Sequence, residues 1–187
     1  MTMIQENLSV EYKSPLQLRQ ALAECRQREH VSCSTNEMLD VFVKEVEKNE
    51  ELASMPVKKY LGKGSSAIAF ETSEGDVLKL TEGNHFPMSR PVEDFDVPIF
   101  KKGKSGKIRF YVEEKLYQHG MTDGFVEIVK DMIKSKGYRP YDIGSSDIHQ
   151  IGISKEGKIY LLDPECAQYK TVFHALWSKL KMLFKHV

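Results

Sequence analysis

Two glycines and several small residues make up the first segment of the sequence that could do chemistry. Residues 61–70 read LGKGSSAIAF, with Gly62 and Gly64 at a turn between two predicted strands. Glycine lets the backbone approach a ligand closely, and N–H groups exposed in such a turn can bind phosphate oxygens. The same pattern is also typical of an ordinary hairpin turn. Because a strand and not a helix follows the glycines, the segment does not indicate a dinucleotide-binding fold.

A lysine on the next predicted strand adds a positive charge near this turn. Strand alternation over residues 76–81, DVLKLT, puts Lys79 on one face and Leu78 and Leu80 on the other. A solvated strand lysine fits the same sequence. The position of Lys79, one hairpin after the glycines, is what favours contact between its ammonium group and a bound phosphate.

Two later segments supply carboxylates. The apolar run LLD ends at Asp163, which would place a hard oxygen ligand suited to Mg²⁺ after a short strand. Upstream, residues 141–150 read YDIGSSDIHQ and contain Asp142, Asp147 and the amide of Gln150. Phosphoryl transfer needs a carboxylate near the attacking hydroxyl and oxygen ligands for a metal ion. The order of glycine turn, strand lysine, aspartate loop and strand-terminal aspartate therefore predicts phosphoryl transfer.

Composition restricts the remaining possibilities. The chain has 187 residues, of which 41% are hydrophobic and 29% charged, with a formal net charge of zero. Such a chain can bury a core, and its neutral balance does not indicate a globally basic nucleic-acid binder. The three cysteines lack zinc-ligand spacing. With neither a secretory signal nor a long apolar run, we expect a cytoplasmic protein or one exported without a Sec-type signal.

Three sections are predicted along the chain. Residues 1–55 are expected to be helical and to pack on the rest, with Ser14-Pro15 as the cap and first turn of a helix. Residues 56–118 are expected to form a small antiparallel sheet, with KKGKSGK at residues 101–107 as a turn. The five predicted strands are VKKYLG, AIAFET, DVLKLT, VPIF and KIRFYVEEKL.

The third section, residues 119–187, is predicted to return to helix. Apolar residues at helical spacing indicate a helix over DGFVEIVKDMIKSKGY, ended by Gly137. Two short strands, IHQIGIS and KIYLLD, follow and are joined by residues 155–157. The tail TVFHALWSKLKMLFKHV is predicted to be an amphipathic helix that docks on the core, with membrane-surface or partner contact as the weaker alternative.

Taken together, these motifs resemble the protein-kinase-like superfamily. The likeness covers residues 57–168 and is closest to the minimal bacterial effector kinases and phage serine/threonine kinases, in which proline follows the metal-binding aspartate, as Pro164 follows Asp163. It implies an α+β, two-lobed fold with a five-stranded antiparallel N-lobe sheet, a reduced helical C-lobe and extra N-terminal helices.

The resemblance also implies roles for individual residues. Lys79 would hold the α and β phosphates of ATP, and the backbone at Glu113 and Glu114 would meet the adenine at the hinge. Asp163 and Gln150 would bind Mg²⁺ or Mn²⁺. The residues that would cover the triphosphate are Gly62, Lys63, Gly64, Ser65, Ser66 and Ala67.

The identity of the catalytic base stays open, because the usual HRDxxxxN motif is not intact. Either Asp147 is the base and Gln150 the second metal ligand, or Asp142 is the base and Asp147 the ligand. The first assignment is preferred slightly, because the number of residues from Gln150 to Asp163 along the sequence matches the usual separation of the second metal ligand and the metal-binding aspartate in kinases.

The glutamate that pairs with the strand lysine in kinases is also not evident in the sequence. Glu93 is the nearest candidate after Lys79, and Glu45 or Glu47 of the N-terminal section could take its place.

The function expected from these motifs is a minimal ATP-dependent kinase that phosphorylates Ser or Thr of a protein, itself included. The alternatives are a pseudokinase that binds nucleotide and acts through protein–protein contact, and a small-molecule kinase. No nucleic-acid partner is expected.

Overall fold

The computed structural model describes residues 9–28, 33–64, 66–82, 95–118, 121–140, 143, 150–162 and 167–169. The chain has an α+β fold and divides into two compact units. The first unit consists of Met1–Phe86 and Val97–Lys115, and the second of Pro87–Asp96 and Leu116–Val187. Among the described residues, no helix is both long enough and apolar enough to cross a membrane.

A six-stranded antiparallel sheet forms the centre of the first unit, with the strand order β1-β2-β3-β4-β6-β5. The predicted strands correspond to β2 through β6, and β1 is the additional one. The strands are β1 (Val10–Gln17), β2 (Pro56–Lys63), β3 (Ala67–Thr72), β4 (Val77–Glu82), β5 (Ile99–Ser105) and β6 (Ile108–Glu113).

The prediction of a helix start at Ser14-Pro15 is wrong, because both residues lie in β1. Proline cannot donate a ladder hydrogen bond, but β1 is an edge strand and its pairing with β2 shifts register between Glu11 and Leu16. The helix begins instead at Leu18, whose backbone N–H donates to the carbonyl of Met55 at 2.9 Å.

The predicted turn over residues 101–107 is also largely wrong, because β5 continues to Ser105 and leaves only Gly106 and Lys107 in the turn. Pairing with β6 overrides the turn preference of these polar residues. Gly103 is needed within the strand, because a Cβ there would come within 2.4 Å of the Phe110 ring.

Three helices accompany the sheet in the first unit: α1 (Leu18–Arg28), α2 (Cys33–Val46) and α3 (Glu50–Ala53). Their apolar side chains share one core with one face of the sheet, where Leu78 and Leu80 are completely buried. The largest helix residues in this core are Leu18, Leu22, Leu39, Phe42 and Leu52.

The second unit contains one described helix, α4 (Asp123–Ser135), capped by the side chain of Thr122 and followed by Gly137 at φ 88°. The predictions of this helix, of its end and of the following hairpin are confirmed. That hairpin joins β8 (Ile151–Ile153) to β9 (Ile159–Leu161), and β7 (Tyr138–Pro140) pairs with β10 (Ala167–Tyr169). The predicted C-terminal helix lies outside the described residues.

Candidate functional site

The sheet face opposite the helices carries Glu71 of β3, Lys79 of β4, and Arg109 and Glu113 of β6, and we call it the polar face. Lys79 lies here, on the side away from Leu78 and Leu80, which confirms the predicted alternation. By cross-strand register the polar face consists of Ala67, Ala69 and Glu71 of β3, Val77, Lys79 and Thr81 of β4, and Arg109, Tyr111 and Glu113 of β6.

An ion pair between Lys79 and Glu113 is the central feature of this face. The lysine Nζ is 2.5 Å from Oε1 of Glu113, and the two side chains are only 12% and 5% exposed. The same ammonium group lies 5.7 Å from the centroid of the Tyr111 ring. Burial raises the pKa of Glu113, although Lys79 acts in the opposite direction. The contacts hold the lysine head group in one place on the sheet.

Small residues lie beside Lys79 in the direction of the glycine turn. Its neighbour on β3 is Ala69, and the residue opposite Ala69 on β2 is Gly62. Gly62 reaches this register because the pairing of β2 with β3 is irregular between Tyr60 and Gly62. The backbone of Gly62 has φ 147°, a value that favours glycine. The row therefore presents no side chain larger than a methyl group on that side of the ammonium group.

The turn itself uses some of the N–H groups that were expected to face a ligand. The backbone N–H of Gly64 donates to the carbonyl of Ala67 at 2.8 Å, so it is bound within the hairpin. Ser66 contributes its carbonyl, which accepts from Glu82 at 2.9 Å. Lys63 is paired with Ile68 and so takes a register position on the helix-covered side of the sheet. Ser65 lies outside the described residues.

A second buried carboxylate, Glu71, lies next to Val77 on the polar face and is contacted by two lysines. Its Oε1 is 3.0 Å from Nζ of Lys58 and 2.8 Å from Nζ of Lys115. Burial acts to raise the pKa of Glu71, but the hydrogen bonds from Lys115 and Lys58 outweigh it and hold the pKa below its ordinary value. The cluster ties β2 and β3 to the residues that follow β6.

The segment expected to form the hinge uses both of its glutamates in ways that the sequence did not reveal. The side chain of Glu113 binds Lys79, and the backbone N–H of Glu114 donates to the carbonyl of Pro98 at 3.1 Å. Alternation along β6 puts Tyr111 and Glu113 on one face, but only the strand order shows that this face adjoins Lys79.

The other glutamates considered as partners of Lys79 lie elsewhere. Glu45 of α2 accepts hydrogen bonds from Lys48 and from the backbone of Lys107. Glu47 follows α2 and is exposed. Glu93 lies outside the described residues.

Of the residues expected to bind metal or accept a proton, the structure describes Gln150. It is 7% exposed, and its carbonyl accepts from the N–H of Leu162 at 2.9 Å. The backbone of Gln150 is thus bound to the residue that precedes Asp163 in sequence. Asp142, Asp147 and Asp163 lie outside the described residues. Within the part of the chain that the structure describes, no group of three or more His, Cys, Asp or Glu side chains is placed to hold a metal ion.

Comparison with known proteins gives a short match. No protein-family model matches the chain. Over 81 residues, 42% of its length, the chain is 32% identical to the trigger factors of Thermoanaerobacter sp. and Thermoanaerobacter pseudethanolicus. The trigger factor of Caldanaerobacter subterraneus is 31% identical over the same length. The match covers 19% of each of these relatives, so it spans about a fifth of their length and does not assign the chain to their family.

Proposed function

We propose that this chain is a minimal ATP-dependent kinase that transfers the γ-phosphoryl group to a Ser or Thr hydroxyl of a protein, and that it belongs to the protein-kinase-like superfamily. The observation that carries the proposal is the buried ion pair of Lys79 with Glu113, 2.5 Å apart, in a row with Ala69 and Gly62. A fixed cation beside a surface without bulky side chains suits a triphosphate.

The chemistry of phosphoryl transfer explains why such a pair is useful. The transition state spreads negative charge over the phosphoryl oxygens, so catalysis depends mainly on positioning and on charge stabilisation. A lysine already held in place loses little freedom when a phosphate binds. In protein kinases a glutamate from a helix holds this lysine. Here we assign that positioning role to Glu113 of β6.

The strand order supports the same assignment. β4, which carries Lys79, lies between the β2–β3 hairpin with the glycine turn and β6, which leads out of the first unit. The phosphate-binding turn and the expected hinge strand thus lie on opposite sides of the lysine. The two-lobed kinase-like architecture, with the second unit as a reduced C-lobe, is part of this proposal.

The remaining roles fall to residues of the second unit. We assign metal binding to Asp163 and Gln150, with Mg²⁺ or Mn²⁺ as the ion. Asp147 accepts the proton of the substrate hydroxyl, and Asp142 is the alternative base. The hydroxyl oxygen then bonds to the γ-phosphorus while the bond from that phosphorus to the β–γ bridging oxygen breaks, and ADP is the leaving group.

Transfer of label from γ-labelled ATP tests the proposal. The purified chain is incubated with the nucleotide, Mg²⁺ and a general protein substrate. We expect labelling of the chain or the substrate, and a loss of about 100-fold or more in Lys79→Ala and Asp163→Ala, because each removes transition-state stabilisation. Lys101→Ala is the matched control, since this exposed lysine pairs with Glu51 on the surface.

The labelling results distinguish the proposed protein kinase from the alternative functions. Undiminished labelling in both Lys79→Ala and Asp163→Ala contradicts the assignment of the site. Nucleotide-dependent thermal stabilisation without transfer identifies a nucleotide-binding pseudokinase instead. Label found only on a small-molecule acceptor would make the chain a small-molecule kinase.

A further inference from the structure

The outer strand β5 has β6 as its one neighbour in the described sheet. Its seven residues, IFKKGKS, are therefore paired along one side, and alternate backbone N–H and C=O groups point away from the sheet along the other. An extended segment of another chain can add to such an edge through backbone hydrogen bonds. We call this outer side of Ile99–Ser105 the β5 edge.

Two large apolar side chains lie exposed at the start of the β5 edge. Ile99 is 40% exposed and Phe100 is 60% exposed. The pairing with β6 shifts register between Ile99 and Lys101, so Phe100 lies at an irregularity of the strand. An adjacent pair of this kind offers a contact for an apolar side chain of a bound segment.

Positive charge follows directly along the same strand. β5 contains Lys101, Lys102 and Lys104 and no acidic residue. Lys101 forms a surface ion pair with Glu51 of α3. Lys102 and Lys104 are exposed and take register positions opposite Tyr111 and Arg109, on the polar face.

The spacing of these lysines specifies the ligand. Residues two apart on a strand point to the same side, and side chains of a neighbouring strand lie about 5 Å away. Lys102 and Lys104 would therefore face acidic residues two apart on an added strand.

The charge also excludes a second copy of this chain as the occupant. Two β5 edges in contact would bring six lysines together across one strand pair (three from each copy), and opposed like charges are destabilising. A nucleic acid would use the lysines but has no backbone to pair with the strand edge and no counterpart for the apolar pair. An extended acidic peptide satisfies all three features.

We propose that the β5 edge binds an extended acidic segment of a partner protein by strand addition, with an apolar residue of that segment against Ile99 and Phe100. Acidic residues at alternate positions then pair with Lys102 and Lys104. This inference does not depend on nucleotide binding, since none of these residues belongs to the proposed phosphate site.

The test uses a fluorescent extended peptide that alternates glutamate with valine, titrated with the whole chain and followed by anisotropy. We expect saturable binding that weakens as salt is added. We also expect reduced hydrogen exchange at the backbone of residues 99–105 in the complex. Reversing both charges in K102E/K104E is expected to weaken binding by about tenfold or more. Phe100→Ser is expected to weaken it without a change of charge.

The control variant K13E/K155E makes the same charge change at exposed lysines elsewhere, one of them on the opposite edge strand β1. It should bind the peptide as the wild type does. A peptide with lysine in place of glutamate should not bind. The proposal is overturned if the wild type does not bind the acidic peptide, or if both β5 variants bind it normally. Protection confined to other residues, or tighter binding of oligonucleotides or anionic vesicles that is lost in K102E/K104E, would also overturn it.

Discussion

The ion pair of Lys79 and Glu113 shows how burial changes the effect of an ion pair on stability. Exposed pairs such as Lys101 with Glu51 contribute little to stability, because water and salt screen both charges. The pair of Lys79 with Glu113 is different, because both side chains are largely buried and the removal of one leaves the other charge poorly hydrated. Burying two charges costs desolvation free energy, and the need to hold the lysine in place for a ligand would explain why the pair lies here.

A double-mutant cycle on this pair has a defined expected result. Lys79→Met and Glu113→Leu should each destabilise the chain by about 3 kcal/mol, because each leaves one buried charge without its partner. The double variant should cost less than the sum of the two, by about 1–3 kcal/mol. Urea unfolding measures all four free energies. Strictly additive effects would show that the two groups do not interact in solution.

Glu71 gives a stability effect that depends on pH. Lys115 and Lys58 hold its folded-state pKa below the value of 4.5 expected in the unfolded chain. Above pH 4.5 the group is ionised in both states, so its full contribution is present. Below that pH the unfolded chain takes up the proton first, and the contribution is lost as the pH falls through the folded-state pKa.

Thermal unfolding of the wild type and Glu71→Gln across this pH range measures the effect. We expect the wild type to be more stable at neutral pH by about 2 kcal/mol, since hydrogen bonds to a charged group are lost in the variant. The difference should close in acid. A difference that widens as the pH falls would mean that the carboxylate is not stabilised in this way.

The sequence was sufficient to predict the face on which Lys79 lies, because strand alternation is a local property. It was not sufficient to identify Glu113 as its partner. That contact depends on β6 lying next to β4, and β5 precedes β6 along the chain. Such a strand order depends on pairing between segments that are distant in sequence. The alternation of residues within one strand does not indicate which other strand lies beside it.

The turn between β5 and β6 is held by the end of α2. Glu45 binds Lys48 and accepts from the backbone N–H of Lys107, and the hydroxyl of Ser105 donates to the carbonyl of Glu45. Gly106 has φ 54°, and a Cβ on it would lie 1.5 Å from Oε2 of Glu45. The helix and the hairpin are thus fitted to each other at this glycine.

Replacing Gly106 by alanine tests this contact. We expect Gly106→Ala to destabilise the chain by at least about 1 kcal/mol more than Gly75→Ala, because the Glu45 carboxylate must move. Gly75 lies in a hairpin of the same sheet at φ 98°, and a Cβ added there would have no other atom within 4 Å. Backbone strain alone would make Gly75→Ala the more destabilising variant. A larger loss of unfolding free energy in Gly106→Ala, measured by urea unfolding, therefore identifies the contact with Glu45.

Pairing between segments also explains where the predicted elements failed. Ser14-Pro15 and residues 101–105 have the composition of a helix start and a turn, yet both lie in edge strands of the sheet. Edge strands tolerate proline, glycine and lysine, so their sequences have few strand signals. The inner strands β3 and β4 were predicted closely, because their buried faces require apolar residues.

The chain as a whole consists of two compact units with separate cores. The helices of residues 18–53 share a core with the sheet, so the predicted N-terminal section belongs to the same unit as the six strands. The second core is built around α4, β8 and β9 by Val126, Val129, Ile133, Ile151 and Leu161. We propose phosphate binding at Lys79, Ala69 and Gly62 of the first unit, and metal binding and proton transfer by residues of the second.

Calorimetric titration of the whole chain with ATP and Mg²⁺ tests the assignment of phosphate binding to Lys79 most directly. The account predicts saturable binding by the wild type and by Lys101→Ala, with an affinity at least about tenfold lower in Lys79→Met, a loss of about 1.4 kcal/mol. No binding by the folded wild type, or equal affinity in Lys79→Met and the wild type, would contradict it.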